Sequence, residues 1–427
     1  MRVYLDTVGC RLNQSEIEAY ARQFRAAGHS LVPSPEQADL VIINTCTVTG
    51  EAASDSRGKI RHAQRAGASR IILTGCWATL EPGIAGVMPG VERIVPNADK
   101  DTLVSEILQL PLKELKGLSP DRIPIPGKRG RTRAFIKVQD GCDNYCTFCI
   151  TRVARGPGRS RPLEEIINDI QAALLGGGQE VVLTGVHLGS WGADFHPALN
   201  LSHLMRTILE ETEIPRLHLS SVEPWDLEDD FFSLWEMSKY GRRLCKHLHL
   251  PLQSGCERTL RRMARKTTPE TYASLVRTAH SAIPDLAVTT DIITGFPGED
   301  EGEFMESLAF VREMGFAGGH VFTYSARPGT AAARLPGQVP HPIRRERNAQ
   351  MRSVLNEANL AYRKRFIGCT RPVLWENAHL AEPQMWELSG LSDNSVRLSA
   401  YSPSNLWNQI TPVRFVRLTE KGVWGEI

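Results

Sequence analysis

Short runs of β-branched and aliphatic residues recur at intervals of about thirty residues in the first part of the chain, at 2–7, 39–44 and 70–74. Between them, 14–27 and 51–66 are rich in Ala, Glu, Arg and Gln, with Gly28 and Gly67 placed as helix stops. Strands and helices alternating at this interval are joined by crossovers, so they predict a parallel sheet with helices on its faces. A strand over 91–95 and a helix over 99–108 extend that sheet. From 111 to 133 the pattern stops, and Pro111, Pro120, Pro124, Pro126, Gly117, Gly127 and Gly130 collect among charged residues as in an interdomain linker.

A second series follows, with strands expected at 134–139, 181–184, 216–220, 247–252, 287–293 and 320–324. Helices are expected at 162–175, 199–211, 269–282 and 300–314. Six sequential βα units predict an incomplete (β/α)6 barrel with its chemistry at the C-terminal ends of the strands. A helix over 342–366 leads into short alternating segments at 373–375, 396–398 and 413–418, the pattern of a small all-β barrel. The fold class is therefore α/β, with domains at 1–110, 134–366 and 367–427 and a linker at 111–133. A length of 427 residues suits several buried cores.

Composition narrows the partners. Lys and Arg number 50 against 48 Asp and Glu, so a polycationic chain is excluded and any nucleic-acid surface is a local patch. No stretch reaches the length of a membrane span, and Met1-Arg2-Val3-Tyr4-Leu5-Asp6 lacks the apolar core of a signal peptide, which predicts a cytoplasmic protein without membrane contact. Nine cysteines in a reducing compartment point to metal or redox chemistry. The densest group is Cys142, Cys146 and Cys149, a C-x3-C-x2-C triplet directly after the strand that opens the second series. Three thiolates at this spacing can wrap one cubane and leave one iron without a protein ligand. A structural zinc would need a fourth ligand, and the next histidine is His187.

Cys10, Cys46 and Cys76 each fall at the C-terminal end of a predicted parallel strand. In an open parallel sheet those ends converge on one crevice. A single cysteine there reads most simply as a small buried hydrophobe, but three at equivalent positions favour a second cluster. Cys245, Cys256 and Cys369 share no pattern and are read as structural. Thr184 at a strand end, Gln253 just after the fourth strand and Asp291 within the fifth put polar groups on the barrel rim and are the candidates for holding a cofactor. Nine Lys and Arg against Asp140 and Asp143 give the segment 128–162 a net charge of +7, which concentrates positive charge around the triplet. Residues 341–371 carry a net of +6, whereas the C-terminal module is not basic. Any RNA contact there would depend on Arg397, Arg414 or Arg417 and on Tyr401 and Trp407.

The triplet at the head of a six-unit barrel resembles the radical S-adenosylmethionine (SAM) superfamily. The N-terminal domain with its three cysteines, the stretch 155–161 (RGPGRSR), the segment 250–255 (LPLQSG) and a C-terminal barrel of TRAM type resemble the methylthiotransferases within it. Segments 7–16 (TVGCRLNQSE), 139–142 (QDGC) and 183–190 (LTGVHLGS) are most similar to the branch acting on N(6)-threonylcarbamoyladenosine in tRNA. Thr151-Arg152-Val153 and His187 depart from the family's commoner residues, and neither change touches a cysteine.

The resemblance implies two [4Fe-4S] clusters. Cys142, Cys146 and Cys149 would hold the one that coordinates SAM, and Cys10, Cys46 and Cys76 a second that carries the transferred sulfur, with no catalytic side chain beyond the ligands. It also implies tRNA as substrate and an electron donor such as flavodoxin or ferredoxin. Alternatives are methylthiolation of a ribosomal-protein aspartate or of isopentenyl-adenosine, and a non-catalytic RNA-binding protein stabilised by zinc or an inert cluster.

Overall fold

The computed structural model describes residues 1–111, 114–115, 132–228 and 230–427, so most of the expected linker lies outside the described residues. The chain divides into two compact units. The first comprises Met1–Asn144, Cys149–Gly178 and Thr184–Val186, and the second Tyr145–Phe148, Gln179–Leu183 and His187–Ile427.

In the first unit, β1 (Arg2–Thr7), β2 (Ser30–Leu31), β3 (Leu40–Thr45), β4 (Ile71–Gly75) and β5 (Val91–Ile94) form a parallel sheet in the order β2-β1-β3-β4-β5. Side chains alternate across a strand, and here both faces are apolar. Leu40 and Ile42 join Leu5, Ile17, Tyr20 and Phe24 in a core under α1 (Arg11–Ala26). Val41 and Ile43 join Ile60, Ala63, Leu73 and Trp77 in another under α2 (Gly50–Arg65). The expected helix over 99–108 is a 3-10 turn at Lys100–Thr102 followed by a helix at Leu103–Leu108. Among the elements not legible in the sequence are the short edge strand β2 and α3 (Cys76–Leu80), which starts directly from the end of β4.

The strand expected at 134–139 divides into β6 (Arg133–Lys137) and β7 (Gln139–Asp140), and β7 pairs antiparallel with β8 (Arg159–Ser160). The second half of the run thus leaves the parallel series to pair with Arg159–Ser160, a segment not expected as a strand. The loop between β7 and β8 carries the cysteine triplet and a short helix, Thr151–Arg155.

The other strands of the second series are all present: β9 (Glu180–Thr184), β10 (Arg216–Leu219), β11 (His247–His249), β12 (Ala287–Thr294) and β13 (Gly318–Thr323). β9 pairs parallel with β10, a parallel bridge joins Ser221 to His249, and β11, β12 and β13 pair parallel in turn. β11 is shorter than expected because Pro251 has no N–H for a ladder. Helix starts follow local chemistry: Thr268 and Thr271 form a reciprocal capping box before Pro269–Ala282, and Asp300 caps Glu301–Met314.

Also in the second unit, helix His341–Lys364 runs into the expected small barrel. Strands β14 (Thr370–Glu382), β15 (Met385–Ser392), β16 (Arg397–Ser402), β17 (Ile410–Leu418) and β18 (Val423–Glu426) close in the order β14-β15-β16-β18-β17. Val373, Trp375, Leu388, Leu398, Val413 and Phe415 fill it, with Tyr362 and Phe366 at the end of the preceding helix. Arg216 at the start of β10 donates to Pro372 O at 2.6 Å and Leu391 O at 3.1 Å, which fastens the barrel to the parallel strands. Trp375 is fully buried and donates from Nε1 to Thr411 Oγ1 at 2.8 Å. Trp375→Ala removes both the packing and that bond, and denaturant unfolding should show a loss of about 3–5 kcal/mol.

Candidate functional site

Cys10, Cys46 and Cys76 stand just beyond β1, β3 and β4, three neighbouring strands of the first sheet. Cys10 precedes the first residue of α1, Cys46 follows Thr45, and Cys76 opens α3. Cys46 and Cys76 are buried and Cys10 is exposed. Burial pushes the Cys46 thiol up to about 11; a backbone hydrogen bond at Val48 opposes this, and the Cys10 and Cys76 sulfurs add to it. The thiols are therefore close enough to influence one another. Two glycines permit the approach. Gly9, at φ +93°, lies against Cys46 so closely that a Cβ would stand 2.5 Å from Sγ, and Gly75, at φ +92°, packs a bare face on the Thr45 backbone. The dipeptide Gly-Cys at 9–10 and 75–76 is the sequence signal for this packing.

Behind these cysteines, in the same unit, lies a buried charge cluster. Arg155 Nη1 is 2.8 Å from Asp140 Oδ1 and 3.1 Å from Glu16 Oε1, while Nη2 donates to Asn13 Oδ1 at 2.6 Å. Lys100 Nζ lies 2.5 Å from Glu16 Oε1 and 2.8 Å from Asp140 Oδ2. Lys137 Nζ lies 2.9 Å from Asp101 Oδ1 and 3.6 Å from Glu16 Oε1. Three cations thus face three carboxylates. Burial by itself would raise the Glu16 carboxyl; Lys100, Arg155 and Lys137 reverse this and hold it well below the ordinary range. Asp140 is depressed in the same way, against burial, by Arg155 first and then Lys100. Burial also opposes the charge on Arg155, but Glu16 and Asp140, followed by Cys76 and Cys10, keep it protonated.

The cluster reaches each cysteine loop of the sheet. Asn13, held by Arg155, donates to Val8 O at 2.9 Å and Thr45 O at 3.1 Å, and the Cys10 thiol lies 3.7 Å from its Oδ1. Asn44, two residues before Cys46, donates to Glu16 Oε2 at 2.8 Å. Asn97 Nδ2 lies 3.7 Å from Cys76 Sγ and donates to Ala154 O at 2.8 Å. Asp140 is two residues before Cys142. Lys100, Asn44 and Asn97 were not singled out from sequence, because no local spacing marks a residue whose partners lie on other strands.

In the triplet, all three cysteines are partly exposed. The Cys142 N–H donates to Gly156 O at 3.1 Å, and its sulfur accepts from the Asn144 N–H at 3.4 Å. In the second unit, the Thr147 N–H donates to Met263 O at 3.0 Å and Thr147 Oγ1 to Arg262 O at 2.8 Å. Arg265 Nη1 lies 3.8 Å from Cys146 Sγ, and the same guanidinium is clamped by Glu223 at 2.6 and 3.0 Å and stacked over Trp225 at 4.4 Å.

Gln253 and Asp291 are brought together: Gln253 N donates to Asp291 O at 2.8 Å, and Ile293 N donates back to Gln253 O at 2.9 Å. Gln253 holds φ +74°, a strained conformation for a non-glycine residue. Thr184 is buried at the end of β9 and counts with the first unit, where its carbonyl accepts from Val138 N at 2.9 Å. His187 pairs with Asp226 at 2.6 Å. Of the remaining cysteines, Cys245 and Cys256 are buried as expected, but Cys369 is exposed at the turn into β14.

The structure places only part of the basic segment. Lys128, Arg129 and Arg131 lie outside the described residues. Lys137 and Arg155 are buried among Glu16, Asp101 and Asp140, and Arg161 pairs with Asp169 at 2.9 Å, so part of the positive charge counted along the chain is paired in space. The helix after the barrel behaves similarly, with Arg347 buried against Glu299 and Arg371 paired with Asp285 and Asp393. On the C-terminal barrel, exposed Tyr401 stacks edge-on with Trp424 at 4.9 Å, and Arg417 lies 5.4 Å from the Trp424 ring.

Residues 136–311 match the model of the radical SAM superfamily, and residues 2–92 match that of uncharacterized protein family UPF0004. The threonylcarbamoyladenosine tRNA methylthiotransferase MtaB of Bacillus subtilis is 34% identical over 426 residues, covering 97% of this chain and 94% of the relative. The chain belongs to the radical SAM methylthiotransferase family. The methylthiotransferase of the same name from Thermotoga maritima is 37% identical over 381 residues, 88% of this chain and 86% of its own. Among solved structures, the radical SAM methyltransferase TsrM of Kitasatospora setae superposes with a TM-score of 0.59 at 14% identity, covering 78% of this chain and 75% of its own, a likeness of fold.

Membership in the radical SAM methylthiotransferases implies a [4Fe-4S] cluster and SAM. The donor set fits thiolate-bound iron. The sulfurs at the sheet are soft ligands of the kind that hold iron; desolvation pushes the Cys10 thiol up, and the Arg155 guanidinium opposes that rise. Among the described residues, no helix is long and apolar enough to cross a membrane.

Two expected outcomes concern the charge cluster. Glu16→Gln leaves Lys100 and Arg155 short of a carboxylate and should cost about 3–5 kcal/mol in denaturant unfolding. Because the Glu16 and Asp140 carboxyls are depressed in the folded protein, their contribution is complete above their unfolded values of about 4 and fades as pH falls below them. Stability measured from about pH 5 downward should therefore drop steeply in the wild type and less steeply in Glu16→Gln.

Proposed function

We propose that this enzyme methylthiolates C2 of N(6)-threonylcarbamoyladenosine beside the anticodon of tRNA (position 37), using SAM as both methyl donor and radical source. The observation that carries this reading is the placement of Cys10, Cys46 and Cys76 at the ends of three adjacent parallel strands, in a chain that also bears the triplet and aligns along nearly its whole length with the Bacillus subtilis relative. Cys142, Cys146 and Cys149 would hold the SAM-binding [4Fe-4S] cluster, and Cys10, Cys46 and Cys76 a second. When bound, these groups supply radical formation from SAM and the sulfur that is methylated and transferred.

The protein's own side chains position and enclose. Arg155, Glu16, Asp140 and Lys100 hold the loops that present Cys10, Cys46 and Cys142, while Arg265, clamped by Glu223, presents positive charge to Cys146. Gln253, Asp291 and Thr184 are the polar groups offered to cofactor and substrate. Tyr401, Trp424 and Arg417 suit an unstacked nucleotide of tRNA, which binds aromatic faces and cations together. The division of labour follows 1–110 for the second cluster, 134–366 for radical chemistry and 367–427 for RNA, joined through 111–133. A flavodoxin or ferredoxin in the cytoplasm would reduce the SAM-binding cluster.

Mass spectrometry of tRNA nucleosides from a deletion strain should show loss of the 2-methylthio form of threonylcarbamoyladenosine. Its persistence rejects the substrate, and loss of the 2-methylthio isopentenyl form instead assigns the other one. Anaerobic reconstitution should give a brown protein with about eight irons; a colourless zinc protein would favour the non-catalytic alternative. Cys146→Ala should abolish SAM cleavage. Cys46→Ala should leave 5′-deoxyadenosine formation intact and block methylthiolation.

A further inference from the structure

The helix His341–Lys364 and the C-terminal barrel, both in the second unit, enclose a polar cleft of about 630 Å³ lined by Asn356, Asn359, Arg363, Arg397, Glu420 and Lys421. Asn356, Asn359 and Arg363 are spaced by three and four and so share one face of the helix. Arg397 opens β16, and Glu420 and Lys421 sit on the turn between β17 and β18. The Thr419 N–H closes that turn by donating to Gly422 O at 3.0 Å, and Arg363 Nη1 donates to Thr419 O at 3.2 Å and Gly422 O at 3.0 Å. Gly422 must lack a side chain, since a Cβ there would stand 2.3 Å from the Arg397 carbonyl oxygen. Helix, turn and strand are therefore fixed against one another around the cleft.

The three cations of this cleft differ from their neighbours. Arg347 and Arg371 are balanced by carboxylates at hydrogen-bond distance. Among the described residues, Arg363, Arg397 and Lys421 form no ion pair, and Glu420 on the same wall forms none either. Burial draws the Arg363 guanidinium below its ordinary range with no carboxylate to reverse it, whereas Asp393 and Asp285 lift Arg371 above its own range against burial. The cleft thus carries a net charge of +2 that the chain itself does not neutralise. Guanidinium, ammonium and amide N–H groups converging on one polar hollow are the donors that phosphate oxygens take. Three cations left without carboxylates around one cleft form a site for an anion supplied from outside.

We propose that this cleft binds consecutive phosphodiesters of an RNA strand, with Arg363, Arg397 and Lys421 on the phosphate oxygens and Glu420 accepting from a ribose 2′-hydroxyl. The inference rests on the reading that RNA is the substrate, and it gives the backbone of that RNA a site separate from the aromatic pair. Side chains alternate along β16, where Leu398 and Ala400 fill the barrel while Arg397, Ser399 and Tyr401 face outward. Ser399 stands opposite Trp424 of β18 in register. Arg397 and Tyr401 are four residues apart, roughly 13 Å along the strand. One strand of RNA can therefore lay a base on Tyr401 and Trp424 while its neighbouring phosphates enter the cleft. A carboxylate beside phosphates repels them unless it has a hydroxyl to accept from, and RNA supplies one at every ribose. A free polyanion such as pyrophosphate carries the same oxygens and is the competing occupant, but it brings no base for the aromatic pair and no hydroxyl for Glu420.

Arg397→Gln combined with Lys421→Gln removes two of the charges and leaves the bonds from Arg363 to the turn in place. Binding of tRNA to the full-length, cluster-reconstituted protein is followed by fluorescence anisotropy as the KCl concentration is raised. Each cation on a phosphate contributes about 0.7–0.9 to the slope of log K against log salt, so the double variant should lose about 1.5 of slope and bind about 30-fold more weakly at roughly 0.1 M salt. Arg397→Lys with Lys421→Arg should keep the wild-type slope. Lys421→Gln alone, on the exposed turn, should lose about half as much slope and carries the test if the double variant does not fold. A DNA copy of the anticodon stem-loop should bind the wild type more weakly than the RNA, and Glu420→Gln should narrow that gap; an unaltered gap overturns the hydroxyl contact. An unchanged salt slope in the folded variants overturns the phosphate site. Calorimetry with pyrophosphate separates the two sources: binding that the double variant loses while its tRNA slope stays at the wild-type value assigns the cleft to a free anion and overturns the RNA strand. If the wild type binds tRNA with the expected slopes but yields no methylthiolated product, the cleft stands and the functional reading fails.

Discussion

The first unit depends on the enclosure of Arg155 between Glu16 and Asp140, completed by Lys100. A guanidinium so fully removed from water persists only when carboxylates meet it at hydrogen-bond distance, and those carboxylates persist only because further cations balance them. Glu16 comes from α1, Lys100 from a turn after β5, Asp140 from β7 and Arg155 from the helix after the triplet. Breaking any one contact strands a buried charge, so four segments far apart in sequence are held in one arrangement. The cysteine loops hang from the same residues through Asn13 and Asn44, and the geometry of those loops is therefore set by electrostatics behind them as much as by the sheet.

Charge counted along the chain is a poor guide to charge seen by a substrate. The segment around the triplet carries a net of +7 in sequence, yet Lys137 and Arg155 face inward, where they meet Asp140 of the same segment and Glu16 and Asp101, which lie outside it. The same holds for Arg347 and Arg371 near the long helix. On the C-terminal barrel, Tyr401 and Trp424 form an exposed aromatic pair with Arg417 beside it, a local arrangement that the net charge of the module does not reveal.

Much of the organisation was legible because it rests on periodicity. Repeated apolar runs and helix stops placed most strands of both series within one or two residues, and the alternating tail announced a closed β module. The misses have more than one cause. β7 and β8 are two residues each, too short for a periodic signal, and they form because Gln139 and Asp140 pair with a distant segment. β11 ends early for the opposite reason, since Pro251 interrupts a run that still looks apolar. Burial of Cys46 and Cys76 and exposure of Cys369 likewise follow from neighbours, not from the residues beside them in sequence.

The amino-acid sequence by itself determined the chemistry available: six cysteines in two sets, one recognisable by spacing and the other by its recurrence at strand ends, together with the elements that carry them. Tertiary structure decided which charges are free and which are spent, because an ion pair depends on distance in space and Glu16 meets Arg155 across 139 positions of chain. It also gathered Arg363, Arg397 and Lys421 into one cleft, a grouping invisible to any local window since a helix, a strand and a turn supply one cation each.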